Sequence, residues 1–204
     1  MLKKFASDAL GISDIGKIID PGDYDKTMSD DYVRHEDQEE IYFLIKTKMD
    51  EYCFTNLALI HVDGDSAVSS KRTLKRYPYH LHLISNVVLE TAGTIDLDVE
   101  IKFTMGGVAF DIDVDKKQLE RLKDLYKSLL YIAEEVQESE KYLDMTRRSL
   151  DMAGSVLQSS RSEETSLSAE FEKINEYSFN WMKENHQNYV RKDFGAVFKK
   201  YILN

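Results

Sequence analysis

The sequence contains few of the features that mark secreted or membrane-spanning proteins. Cys53 is the one cysteine among 204 residues, so no disulfide can form within the chain, which fits a reducing compartment. No apolar run approaches the roughly 18 residues of a transmembrane helix. The N-terminus MLKKFASDALGISDIG carries Asp8 and Asp14 where a signal peptide needs an uninterrupted apolar core. We therefore expect a cytoplasmic protein without a transmembrane helix.

The chain also lacks an excess of positive charge and any familiar catalytic signature. Its net charge is −10, which disfavours bulk attraction to nucleic acids and to anionic membranes. The sequence contains no glycine-rich dinucleotide motif, no P-loop, no HExxH and no GxSxG. We therefore predict a protein that is not an enzyme, needs no cofactor and binds no nucleic acid.

The clearest pattern is a β-hairpin between residues 95 and 114. Apolar residues alternate with charged ones along its first half, as in a strand with one buried and one solvated face. Gly106-Gly107 then permits a tight turn, and a second alternating strand returns from Val108 to Val114. The residues of the first strand that we expect in the core are Ile95, Leu97, Val99, Ile101 and Phe103.

An amphipathic helix follows this β-hairpin directly. Asp115 and Gln118 have the spacing of a capping box, and the apolar period changes from two to about 3.6 at that point. We expect the helix to pack on the open end of a sheet. Its predicted buried positions are Leu119, Leu122, Tyr126, Leu129 and Ala133, with Leu125 and Leu130 beside them.

The chain before this β-hairpin also reads mainly as β-structure. Residues 41–45 form a short run of strand-forming side chains, and residues 83–91 form another. Residues 52–62 read as one strand interrupted near Thr55-Asn56, and residues 66–79 as one kinked or two short strands. The sequence thus predicts an α+β fold, a bent antiparallel sheet or barrel of about seven strands closed by a helix.

Residues 134–204 read as an all-helical extension, so we predict two domains, residues 1–133 and 134–204. From Leu129 to Leu157 large residues recur at intervals of seven, with mostly small residues three positions later, which favours helix pairing over a long autonomous coiled coil. The apolar stripes beyond it carry more surface than a two-helix tail can hide, which predicts contacts with the parent domain or with another subunit. These stripes contain Phe171, Trp181, Phe194 and Phe198.

One basic cluster stands out in this acidic chain. Lys71, Arg72, Lys75 and Arg76 lie in a stretch without acidic residues, and they are the candidate anion-binding residues. The alternative is an edge strand that its charges and Pro78 guard against stray pairing. Strand spacing places the two lysines on one face and the two arginines on the other, which favours the edge-strand interpretation.

The remaining polar groups give no catalytic or metal site. Cys53 lies in a strand-like run without a nearby base, which indicates a buried side chain. His80 and His82 would share a strand face, but a zinc site needs further ligands. Five carboxylates could hold a cation: Asp96, Asp98, Glu100, Asp111 and Asp113. We favour the interpretation that they lie on a solvated strand face. A neighbouring subunit could also cover part of that face.

Three segments of the chain resemble the bacterial pleckstrin-homology domain family. They are DEYCFTNLALIHVDGDSAVSSKRTLKRYPY, ETAGTIDLDVEIKF and FDIDVDKKQLERLKDLY. The N-terminal SDALGISDIGKIIDPGDYDK and the helical tail resemble the YvbH-like members, which carry an oligomerisation extension. The resemblance implies a seven-stranded bent sheet capped by a helix, and assembly into symmetric rings.

The resemblance also bears on lipid binding. Eukaryotic pleckstrin-homology domains bind phosphoinositides through basic residues around the first hairpin loop. Here that loop would be residues 46–51, with two basic and two acidic side chains, which argues against this ligand. We therefore predict a scaffold that forms a homo-oligomer larger than a dimer and associates with other proteins. The alternative is a module that binds anionic headgroups at a membrane surface.

Overall fold

The computed structural model describes residues 15–64, 71–91, 97–159 and 167–203, with the backbone alone at 156–159 and 167–169. The chain divides into two compact units. The first, which we call the sheet unit, comprises Met1–Glu134 with Lys192–Asn204. The second, the helical hairpin, comprises Glu135–Arg191.

The sheet unit contains two antiparallel sheets. The first has five strands in the order of the chain, and the second has three. Seven of these strands contain five residues or more, as the fold prediction requires. The strands are β1 (Lys17–Ile18), β2 (Ile41–Lys46), β3 (Glu51–Thr55), β4 (Ala58–Gly64), β5 (Arg72–Pro78), β6 (Ile84–Glu90), β7 (Asp98–Met105) and β8 (Val108–Asp115).

The predicted β-hairpin forms β7 and β8 of the second sheet. Gly106 and Gly107 make its turn at φ values of 58° and 82°, which glycine adopts without strain. Val99, Ile101 and Phe103 are buried as predicted, and Glu100 stays half-exposed on the opposite face. Leu97 is half-buried, while Ile95 lies outside the described residues.

The core of this unit lies between the two sheets. Phe54 of β3 and Phe103 of β7 approach within 6.2 Å between ring centroids. Phe110 of β8 forms T-shaped pairs with Tyr52 and Tyr77 at centroid distances of 6.3 and 5.4 Å. Edge-to-face pairs of this kind stabilise a core beyond their buried area. Aromatic rings from both sheets therefore hold the sheets together.

Residues 52–62, predicted as one interrupted strand, form the two strands of a hairpin instead. The chain reverses after Thr55, whose hydroxyl oxygen accepts the backbone N–H groups of Leu57 and Ala58 at 3.1 and 3.0 Å. A threonine side chain thus closes the turn that glycine or proline more often marks. β3 and β4 then pair over four residue pairs.

The segment from residue 19 to residue 40, which is rich in acidic side chains, covers one face of the five-stranded sheet. It consists mainly of short 3-10 turns at Pro21–Lys26, Asp30–Tyr32 and His35–Asp37. Val33 packs there with Leu44, Cys53 and Ile60 in one buried cluster. The central strands are therefore buried on both faces, which explains why β2 reads as a continuous apolar run.

Two buried glutamates fix this covering segment. Glu39 is 1% exposed and accepts hydrogen bonds from Arg76 at 2.8 Å and from the Arg34 N–H at 3.0 Å. Glu51 is 5% exposed and accepts from Lys46 at 2.6 Å and from the Ser29 N–H at 2.8 Å. Burial alone raises the pKa of each carboxyl, but these donors outweigh it and hold the pKa of each below its usual range.

The lowered pKa values predict sensitivity to acid. A carboxyl of this kind contributes its full stabilisation above the unfolded pKa of about 4.3, and the contribution disappears as the pH falls through the lower folded value. In urea unfolding at stepped pH, the wild type should therefore lose stability more steeply below about pH 4 than Glu51→Gln. Glu36→Gln, which makes the same change at an exposed position, should keep the wild-type slope. If the free energy of unfolding fell equally steeply with pH in all three chains, this role of Glu51 would be contradicted.

Helix α1 (Leu119–Ser159) begins in the sheet unit and ends in the helical hairpin. Leu122, Leu125, Leu129 and Ile132 on one of its faces are fully buried, whereas the predicted Leu119 and Tyr126 are only half-buried. The predicted capping box is only half present. Asp115 accepts the Lys117 N–H at 2.9 Å. Gln118 bonds instead to both backbone groups of Ile18, at 2.8 and 3.1 Å.

Two further helices complete the chain. α2 (Leu167–Tyr189) continues without a break through residues 185–188, although their sequence, NHQN, is typical of a turn. α3 (Gly195–Ile202) belongs to the sheet unit and packs against β2. Phe198 stacks on Tyr42 at 5.5 Å, and Phe194 meets Tyr79 at 5.6 Å, with both phenylalanines fully buried. Of the two alternatives that the sequence left open for these phenylalanines, the structure shows burial against the same chain, because the protein's own sheet covers them.

Candidate functional site

The helical hairpin pairs the second half of α1 with α2 through small and polar side chains. The Thr146 hydroxyl lies 3.4 Å from Asn185 Oδ1, and Tyr142 stacks on Tyr189 with 4.9 Å between ring centroids. Thr146 occupies one of the small heptad positions predicted from the sequence, and small side chains let two helices approach closely. The pairing therefore follows the predicted heptad.

The helical hairpin buries very little apolar surface by itself. Among its described side chains, only Val136 and Thr146 are buried. At its base, Arg191 Nη1 contacts both carboxylate oxygens of Glu135 at 2.7 and 2.8 Å. Most helical stability in proteins comes from packing an apolar face. The two helices of the helical hairpin are therefore weakly stabilised when they pack only against each other.

Large apolar side chains instead lie on the surface of the helical hairpin. Phe171, Tyr177 and Phe179 of α2 are 69%, 67% and 61% exposed. Exposed apolar patches mark sites of protein association. We call the full set the apolar surface: Tyr142, Met145, Met152, Phe171, Ile174, Tyr177, Phe179, Trp181, Met182 and Tyr189.

Most of the α2 members of this surface lie on one side of that helix. Phe171, Ile174, Trp181 and Met182 each stand three, four or seven residues from Ser178, so they share its face. Ser178 is half-buried, whereas the large residues around it remain exposed. The predicted stripe of α2 is therefore present, but its apolar area is left uncovered within the described part of the chain.

The structure places the four candidate anion-binding residues on or just before β5, the last strand of the five-stranded sheet. Lys75 Nζ contacts Asp63 at 2.6 Å, and Arg76 Nη2 contacts the buried Glu39 at 2.8 Å. Arg72 Nη1 donates to the carbonyl of Lys71 at 3.1 Å. Two of the four cations are thus already paired with carboxylates, on opposite faces of the strand.

The first hairpin loop, the phosphoinositide position of eukaryotic pleckstrin-homology domains, is occupied by internal contacts. Lys46 Nζ is held 2.6 Å from Glu51. The Thr47 hydroxyl accepts the N–H groups of Met49 and Asp50 at 3.1 and 2.8 Å. The loop is therefore ordered by its own hydrogen bonds.

The other polar residues singled out from the sequence lie in the sheets or in the turn between β5 and β6. His80 and His82 are in that turn, so they do not share a strand face as the sequence predicted. Cys53 is fully buried, and that burial raises the pKa of its thiol well above the usual range. His82 Nδ1 lies 3.1 Å from the Pro78 carbonyl. One oxygen each of Glu100, Asp111 and Asp113 lie within 4.8 Å of one another, but Lys102 Nζ sits 2.6 Å from Glu100 and already supplies a cation. Asp96 lies outside the described residues.

The family follows from a comparison with known proteins. Residues 9–133 match the family model described as a bacterial PH domain, where PH stands for pleckstrin homology. The chain belongs to the bacterial pleckstrin-homology domain family. A second model, described as a YvbH-like oligomerisation region, matches residues 144–204 of this pleckstrin-homology protein. That match includes the helical hairpin's α2 and also α3, which packs in the sheet unit.

Two relatives extend over almost the whole pleckstrin-homology chain. The uncharacterized protein YvbH of Bacillus subtilis (strain 168) is 60% identical over 204 residues, which is the full length of both chains. The crystal structure of a PH-domain-containing protein from Exiguobacterium sibiricum 255-15 has a TM-score of 0.85 at 51% identity, covering 93% of this chain and 100% of that one. In the described part of the present chain, every helix is too polar or too short to cross a bilayer.

Proposed function

We propose that this protein is a non-enzymatic scaffold that assembles with copies of itself through the apolar surface of the helical hairpin and presents its sheet units for association with other proteins. The observation that carries the proposal is the exposure of that surface. Phe171, Tyr177 and Phe179 each leave more than half of their side chain in contact with solvent. Burying one such side chain contributes about 1.5–3 kcal/mol.

A second copy of the chain is the occupant that fits this surface best. The helical hairpin has few buried side chains of its own, so packing against further helices would supply the missing core. The match to a YvbH-like oligomerisation region supports a partner of the same sequence. Association of this kind uses the same apolar contacts that stabilise helix bundles.

We propose a closed ring of more than two subunits. The resemblance to the YvbH-like members implies rings, and closure of head-to-tail contacts ends growth without an open polymer. The buried free thiol of Cys53 fits the reducing environment of the cytoplasm, where we place the assembly.

The alternative function is binding of anionic lipid headgroups through Lys71, Arg72, Lys75 and Arg76. Two of these residues already contact carboxylates, so this cluster has little charge left to offer. In flotation with anionic vesicles, we expect a Lys71→Gln/Lys75→Gln variant to behave as the wild type does. Salt-sensitive binding that this variant abolishes would promote the alternative.

Trp181 offers a direct probe of the assembled surface, because it is the chain's one tryptophan and lies on that surface. Its side chain is 37% exposed in the single chain. We expect acrylamide to quench its fluorescence less in the wild type than in a Phe171→Ser/Phe179→Ser variant, because assembly would bury the indole. Leu81→Ser, at a position that is 68% exposed in the sheet unit, is the control and should match the wild type. Equal quenching in all three chains would contradict assembly through α2.

A further inference from the structure

A lysine-rich cleft lies in the sheet unit, separate from the helical hairpin and from β5. It has a volume of about 530 Å³ and opens between β1, the first 3-10 turn, the end of β2 and the junction of β8 with α1. Lys17, Lys26, Lys46 and Lys117 line it. These residues are separated by up to 100 positions in the chain, so no local sequence motif predicts that they lie together.

Two of these lysines stand directly opposite each other on neighbouring strands. Lys17 of β1 is the partner of Lys46 on β2 in the antiparallel register, so their side chains share one face of the sheet. Like charges in such a pair repel each other and destabilise the sheet locally. Lys46 is neutralised by Glu51 at 2.6 Å. Among the described residues, no carboxylate contacts the ammonium group of Lys17.

The acidic residues of the cleft are already engaged. Asp20 contacts Arg121 at 2.7 Å, and Asp23 is paired with Lys26. Asp115 accepts the backbone N–H of Lys117 at 2.9 Å, so it caps the start of the helix. In the part of the chain that the structure describes, the ammonium group of Lys117 therefore has no carboxylate partner, as is true of Lys17.

We propose that this cleft binds a phosphate-bearing anion, held mainly by Lys17 and Lys117. The two ammonium groups that lack a partner would supply charge-assisted hydrogen bonds. The nearby N-terminus of α1 adds a partial positive charge. An anion in the cleft would also balance the charge of Lys17, which stands opposite Lys46 in the strand pair. The phosphate could belong to a soluble molecule or to a lipid headgroup, since both present the same group.

Titration of the full chain with inorganic phosphate tests the site, with backbone amide shifts followed by NMR against chloride at matched ionic strength. We expect saturable shifts at Lys17, Lys46 and Lys117 in the wild type. Lys17→Gln/Lys117→Gln should weaken the binding by about tenfold or more, the factor expected for losing a hydrogen bond to a charged group. Lys71→Gln/Lys75→Gln, which removes the same charge on and just before β5, should bind as the wild type does.

A second arm identifies the source of the phosphate. Flotation compares phosphatidylcholine vesicles with and without phosphatidylglycerol. Binding only to the anionic vesicles, lost in Lys17→Gln/Lys117→Gln, supports the site with a lipid headgroup as ligand. Saturable phosphate shifts without vesicle binding support it with a soluble ligand. The absence of both a saturable shift and vesicle binding would overturn the proposal. It would also be overturned if Lys71→Gln/Lys75→Gln lost as much binding as Lys17→Gln/Lys117→Gln does. Neither outcome depends on self-assembly.

Discussion

Replacing Phe198 by alanine is expected to lower the free energy of unfolding by about 3–5 kcal/mol, the range for truncating a buried phenylalanine. Phe198 has no exposed surface, and its ring stacks on Tyr42 and lies 6.1 Å from that of Tyr79. The surrounding backbone is also fixed, because the Phe194 N–H donates to the Asn56 carbonyl at 2.8 Å. Truncation would therefore leave a cavity that the neighbouring residues cannot fill.

Urea unfolding measures this effect, and Leu203→Ala provides the control. Leu203 directly follows α3 and is 60% exposed, so its truncation should have little effect. Gly195→Ala is an independent check, because a β-carbon there would lie 3.0 Å from Tyr42 Oη, so Tyr42 or α3 would have to shift by a few tenths of an ångström. If Phe198→Ala shifted the urea midpoint no more than Leu203→Ala does, α3 could not be part of the sheet unit's core.

Much of the sheet unit could be predicted because its signals are local. The period-two pattern of β7 and β8 and the two glycines between them lie within 18 consecutive residues, Asp98–Asp115. The turn between β3 and β4 was missed because its defining group is the Thr55 hydroxyl, in a stretch without glycine or proline. A turn closed by a side-chain hydrogen bond is harder to predict from composition than a turn that contains glycine or proline.

The buried glutamates show what no local pattern can reveal. Glutamate side chains are rarely buried, yet Glu39 and Glu51 both are. A charged group tolerates burial only with partners, and the partner of Glu39 is Arg76, 37 residues further along the chain. The same contact already pairs Arg76, one of the four candidate anion-binding residues, with a carboxylate. Pairing over such a separation is decided by the tertiary fold.

The candidate surface was predicted in part. The stripe of α2 followed from helical spacing, but spacing cannot tell which aromatic residues the protein itself covers. Phe171 and Phe198 look alike in the sequence, whereas one is 69% exposed and the other is fully buried. The difference arises because α3 lies against Tyr42 and Tyr79 of the sheet unit, a contact between distant parts of the chain.

Loss of the apolar surface is expected to dismantle the assembly. Phe171→Ser/Phe179→Ser removes two exposed rings from each subunit, and burial of each ring contributes about 1.5–3 kcal/mol to an interface. Neither side chain is buried in the single chain, so the fold of each subunit should survive. We therefore expect the variant to remain folded while its subunits separate.

Light scattering coupled to size exclusion tests the central claim most directly, by comparing the masses of the wild type, Phe171→Ser/Phe179→Ser and the control Leu81→Ser. The chain mass is 23.7 kDa. We predict that the wild type and Leu81→Ser elute with one shared mass of more than two chains, and that the double variant falls toward the mass of one chain. A wild-type protein with the mass of one chain would contradict self-assembly. A double variant with the wild-type mass would leave assembly intact but exclude the exposed phenylalanines of α2 as its basis.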